Sequence, residues 1–261
     1  MAPEVDRSAR PDPKVGEVAA AHSHRFALLF ATIVTTSLGG LVIALRFPTE
    51  AEGFTYATVA QDPRAFWWFL LAAGINLAVG ITALAVAGTS LARKRGVAWA
   101  TLGGALMWLG AGLYAVGIGN WAGTFVTATN PALDEAMSRA LVDAANTDGL
   151  HMWAAPGGGA GLVAIGTVLL AIGLWRARSV PRWVPTVAAV SIIASLLMPT
   201  AGLLGLIVEG PIAASSIAIG WYAWRRNHAH DLPELAPARD RRAELARRFE
   251  RGTSTGAQNH Q

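Results

Sequence analysis

The sequence has no cysteine, only two lysines and few charged residues of any kind. Without cysteine there can be no disulfide, thiolate metal site or cysteine nucleophile. Both lysines, Lys14 and Lys94, lie outside the apolar runs, so a retinal-type Schiff base is excluded and the rhodopsins with it. Charged residues make up 15% of the 261 residues and hydrophobic ones 53%, too apolar a balance for an ordinary soluble domain. Catalytic signatures are missing too: there is no Gly-x-Ser-x-Gly elbow and no His-Glu-x-x-His zinc helix. The run Gly157-Gly158-Gly159 lacks the Lys-Ser/Thr that completes a phosphate loop. An intramembrane haem needs two imidazoles at similar depth, whereas His151 stands apart from His22, His24, His228 and His230. Nothing in the sequence points to a cofactor, a metal or an enzyme.

What is present is apolar length. Six stretches, at about 26–45, 66–88, 97–118, 151–175, 183–199 and 202–224, are apolar enough to read as membrane spans. Assigning the intervening segments alternately to two sides leaves Arg46, Arg64 and Arg139 alone on one side and the other eighteen basic residues opposite. Basic residues are retained in the cytoplasm during insertion, so both termini are expected inside. The net charge of +4 then reads as a basic inner face beside anionic lipid rather than a nucleic-acid surface. Arginine favoured over lysine, with much alanine and glycine, points to a bacterial cytoplasmic membrane. The first apolar run follows a polar segment of about 25 residues and exceeds a signal-peptide core, so it reads as a retained span; a cleaved signal is the alternative.

The expected fold is all-α: a polytopic bundle over 25–226, a disordered tail over 1–24, and a basic cytoplasmic tail over 227–261 with a basic helix at 238–251 or a solvated run. Phe66-Trp67-Trp68-Phe69 marks the outer interface. Between the third and fourth spans, Asn130-Pro131 reads as a helix N-cap and first helical residue. Leu133, Met137, Ala140, Leu141 and Ala144 then predict an amphipathic helix lying on the outer mouth, as packing or as a lid. Gly39-Gly40, Gly103-Gly104, Gly110 and Gly112, and the step from Gly157 to Gly161, read as packing faces for close helix approach.

The inner hairpins Leu91-Ala-Arg93-Lys-Arg95-Gly-Val97-Ala-Trp99 and Leu174-Trp-Arg176-Ala-Arg178-Ser-Val180-Pro-Arg-Trp183 are alike. Either a hairpin was duplicated, or both meet the common need for arginines flanked by an interfacial tryptophan.

One residue breaks the apolar pattern. Glu209 lies about seven residues into the sixth span, roughly 10 Å deep. An ionised carboxylate there costs a few kcal/mol unless it finds a partner, water or a proton. Two residues on, Pro211 cannot donate to the Ile207 carbonyl, which is left free to bind something else. At comparable depth, topology offers His151, Tyr114, Asn120 and Arg46 from the outer ends of other spans, and Asn76 deeper. These residues predict an outward-facing pocket for a proton, a cation or a small polar ligand. The structural alternative is a carboxylate that bonds the bundle together.

The six spans, the external helix and Gly173-Leu-Trp-Arg-Ala-Arg-Ser-Val-Pro-Arg-Trp183 resemble bacterial integral membrane proteins of unknown function, the small six- or seven-helix proteins common in actinobacteria. The resemblance covers roughly 25–226 and implies the fold without an activity. Two functions follow as expectations: a binding or transport module around Glu209, or an accessory subunit packed against another membrane protein or a second copy of itself.

Overall fold

The computed structural model describes residues 13–47, 54–93, 95–198 and 202–231, with side chains from His24 to Asn227. Every regular element among them is helical. Two compact units divide the chain. Residues 24–225 form a helical bundle; the other unit combines 1–23 and 226–261, in which 13–23 and 226–231 are helical. Residues 13–23 therefore differ from the disordered tail expected there, and Ala19-Ala20-Ala21 is a run of strong helix formers. The rest of both expected tails, the basic helix at 238–251 included, lies outside the described residues.

The long helices are α1 (Pro13–Arg46), α3 (Pro63–Leu91), α4 (Val97–Thr127), α6 (Ala154–Ala177) and α8 (Gly202–Asp231). Short α2 (Tyr56–Gln61) and α5 (Glu135–Thr147), and a single π-turn at Gly149–Trp153, connect them on one side. Among the described residues, five helices are long and apolar enough to cross a membrane. The segment expected as the fifth span, 183–199, forms α7 (Trp183–Leu197), a 15-residue helix about 22 Å long at 1.5 Å per residue, short of a core about 30 Å thick. It stops because Met198, which precedes Pro199, takes extended backbone (φ −122°, ψ 150°), the conformation a following proline imposes.

The outward faces are as apolar as the interior. Trp108, Val116 and Ile165 sit mid-helix and are each more than half exposed, a surface a water-soluble monomer rarely presents. The bundle belongs in lipid.

Glycine sets its centre. Gly96, Gly103, Gly110 and Gly117 recur every seven residues along α4, and Gly159, Gly166 and Gly173 do so along α6. A Cβ on Gly103 would stand 2.5 Å from the Gly166 carbonyl oxygen; one on Gly110 would stand 2.7 Å from that of Gly159. Backbone thus meets backbone along the seam. The expected step from Gly157 to Gly161 is not part of it: both glycines, like Gly112, have open space. The seam runs through Gly159 instead, because a seven-residue spacing keeps one stripe facing a partner that crosses at a shallow angle.

At one end, both hairpin turns converge. Arg93, Arg95, Arg176 and Arg178 line a single cleft, and Arg182 lies over the Trp175 ring at 5.8 Å. The two look-alike segments are therefore spatial neighbours.

The opposite end is closed by an aromatic cluster. Phe54 packs edge-on against Phe125 and Phe66 at 5.0 and 5.2 Å. The interfacial tetrad is split: Phe66 is buried here, whereas Trp68 is exposed. α5 rests on this cluster, with two corrections to expectation. Its N-cap is Asp134, whose Oδ1 accepts the Met137 N–H at 2.7 Å; Asn130 instead accepts from Ala132 and forms a turn before the helix. Its buried face is Ser138, Val142 and Ala145, while Met137, Ala140 and Ala144 are exposed. The buried stripe lies one residue on from the expected one, the face that α5 turns to the aromatic cluster.

Candidate functional site

Within the bundle a cavity of about 260 Å³ is lined by residues of α1, α3, α4, α6, α7 and α8. Three of the six residues singled out from the sequence line it: Glu209, Tyr114 and Asn76. Helical spacing explains the α8 wall, because Glu209, Ile212, Ala213, Ser216 and Ile219 share one face. On α7 the lining residues Pro185, Ala188, Ile192 and Ser195 do the same. α1 contributes Thr36 and Ser37, and α6 contributes Thr167.

Asn76 is held across the α1–α3 contact. Its Nδ2 donates to the Thr36 carbonyl at 3.0 Å, and a Cβ on Gly39 would stand 2.5 Å from its Oδ1. Gly39 is the notch that admits the amide. Tyr114 packs its backbone on Gly159 of the seam and lies within electrostatic reach of Glu209. The Glu209 side chain is half-buried, and its carboxylate makes no hydrogen bond or ion pair with another described residue. Among the described residues no Arg, Lys or His lines the cavity.

The other three candidates lie elsewhere. Arg46 ends α1 and is exposed. His151 is exposed and its Nδ1 pairs with Asp148 Oδ2 at 2.9 Å. Asn120 donates to the His151 carbonyl at 3.2 Å. Their arrangement follows from Pro156, which has no N–H to return to the Met152 carbonyl. That carbonyl accepts from Trp121 Nε1 at 2.7 Å, and Asn120 binds the same turn. The start of α6 is thus a π-turn tied down by α4, and His151 is turned outward by it.

Asp148 caps this turn. Its carboxyl is held below the usual carboxylate range, first by the His151 backbone N–H and then by the imidazole. A lowered folded value stabilises above the ordinary carboxylate range and is lost as pH falls through the lowered value. Asp148→Asn is therefore expected to lower the thermal midpoint by a few degrees near neutral pH and to match the wild type in strong acid. Equal midpoints at every pH would show that the cap contributes nothing.

The sequence reading missed Ser195, Ser216, Thr36, Ser37 and Thr167. Ser216 was within reach, one heptad below Glu209; Ser195 and Thr167 required knowing which face of α6 and α7 turns inward. α2, α5 and the π-turn contribute nothing to the lining, so α5 packs over the aromatic cluster.

No family model, curated protein or solved structure matches this chain. The site must be read from its own geometry.

Proposed function

We propose that the protein is a multi-pass bacterial cytoplasmic-membrane protein that binds or transports a ligand through the cavity around Glu209. Its termini are inside, with α7 making the further crossing where the bilayer thins around its shorter apolar length. The observation that carries this reading is the convergence of Glu209, Tyr114 and Asn76, from three helices, on one cavity. A carboxylate kept in the bundle without a partner among the described residues is costly as packing and useful as a binding group. The orientation rests on the arginine cleft, which suits anionic lipid headgroups on the cytoplasmic side.

A second reading has an observation of its own. Gly112, Gly119 and Gly123 on α4, and Gly157, Gly158 and Gly161 on α6, all face open space. Such faces let another helix approach closely, as in an accessory subunit or a homo-oligomer.

Native mass spectrometry of protein extracted gently from its own membrane separates the two. The binding reading expects a stoichiometric small-molecule adduct in the wild type, lost in Glu209→Gln with the fold intact. A co-extracted protein or second copy, with no adduct, would replace it with the subunit reading.

A further inference from the structure

The walls of the cavity are graded. Its polar groups thin out along it: Glu209, Tyr114, Asn76 and Ser195 lie towards one end, Thr36, Ser37, Ser215 and Ser216 further along, and Thr167 last, one turn before Leu170. The contacts of glycine fix this order. Gly39 meets Asn76, and Tyr114 meets Gly159, whereas Gly88, further along α3, meets Leu170. Ile33 meets Gly220, next to Ile219. The far end is lined by Leu84, Leu170, Leu174, Pro185 and Ile219. From Glu209 to Ile219 the cavity follows about 15 Å of helix at 1.5 Å per residue. A proton or small ion would occupy one end and leave the apolar length empty.

We infer that the cavity takes a single-chain amphiphile with a cationic head, the head at Glu209 and the chain running towards Leu174 and Ile219. This rests on the proposed binding function and names its ligand class. Among the described residues Glu209 is the only carboxylate in the lining, and none of those lining it is basic. An ammonium head supplies the missing charge, the Tyr114 ring offers it a π face, and the Asn76 and Ser195 oxygens accept from any N–H it carries. The apolar end takes the chain out of water.

The test is equilibrium dialysis of the full chain in zwitterionic nanodiscs, with empty nanodiscs subtracted and affinities referred to free aqueous probe. The probes are tetramethylammonium, octyltrimethylammonium, dodecyltrimethylammonium and dodecyl sulfate. Affinity should rise with chain length, by roughly fourfold per buried methylene, and dodecyl sulfate should bind far more weakly. Glu209→Gln should weaken the cationic probes by roughly thirtyfold or more, while Glu209→Asp retains them. Ala188→Leu narrows the apolar end and should cut dodecyltrimethylammonium affinity without changing that of tetramethylammonium. Equal affinity for tetramethylammonium and its dodecyl homologue, lost in Glu209→Gln, would overturn the amphiphile and leave the binding function standing. Dodecyl sulfate binding as tightly as its cationic counterpart would overturn the cationic head. Indifference of every probe to Glu209→Gln would remove the binding function itself.

Discussion

Gly103→Val is expected to prevent the bundle from accumulating in folded form, and Gly103→Ala to destabilise it by about 3 kcal/mol. The added methyl would stand 2.5 Å from both the Gly166 carbonyl oxygen and the Leu170 amide nitrogen. Neither is a side chain that can rotate away, so α4 and α6 must separate. Separation is not local, because Gly96, Gly110 and Gly117 make the same kind of approach along the same seam. Gly112→Ala is the control: it lies on the same helix, faces open space, and is expected to be neutral or to stabilise by up to about 1 kcal/mol. Thermal unfolding in mild detergent, with size-exclusion chromatography, checks both. A Gly103→Ala protein that melts with the wild type would mean the seam is looser than described.

Phe54→Ala is expected to cost about 3–5 kcal/mol and to loosen the aromatic end. The ring is 4% exposed and meets Phe47, Phe66, Trp121 and Phe125 at centroid distances of 5.6, 5.2, 5.9 and 5.0 Å. Truncation therefore opens a hole shared by three helices, and collapse in any one direction breaks packing in another. The backbone of Phe54 is also held, since Asn146 Nδ2 donates to its carbonyl at 2.7 Å and Asn146 Oδ1 accepts its N–H at 3.3 Å. Losing the ring should release α5 as well as lower the thermal midpoint. Trypsin cleavage after Arg139, on the exposed side of α5, reports the release. Unchanged cleavage alongside a lowered midpoint would show that α5 is held by other contacts.

The helical class and the apolar length were legible because hydropathy over some twenty residues depends on composition alone. Glu209, Tyr114 and Asn76 stood out because polar groups inside apolar runs need a reason to be there. What sequence could not supply was rotation. His151 was matched to Glu209 by depth, but Pro156 and the π-turn it leaves turned it outward. The same limit moved the buried stripe of α5 by one position: Asn130 and Asp134 are both good caps, and the first is used by the turn. The heptad glycines of α4 and α6 were visible in the letters; among so many glycines, only the partner helix reveals which seven-residue series carries the contact. α7 is shorter than the apolar run that marks it, because the run continues to Pro199 while the backbone has left the helix at Met198.

The α4–α6 seam also restricts how the cavity can change. Where main chain rests on main chain, there is no side chain to enlarge or trim, and the two helices can contribute to the cavity only through residues beside the seam, such as Tyr114, Val163 and Thr167. The walls from α1, α7 and α8 carry no such constraint at Ser37, Ala188, Ser195 or Ala213. Change in the shape of the cavity is therefore least constrained on that half, with the α4–α6 seam as the fixed jaw against which it is adjusted.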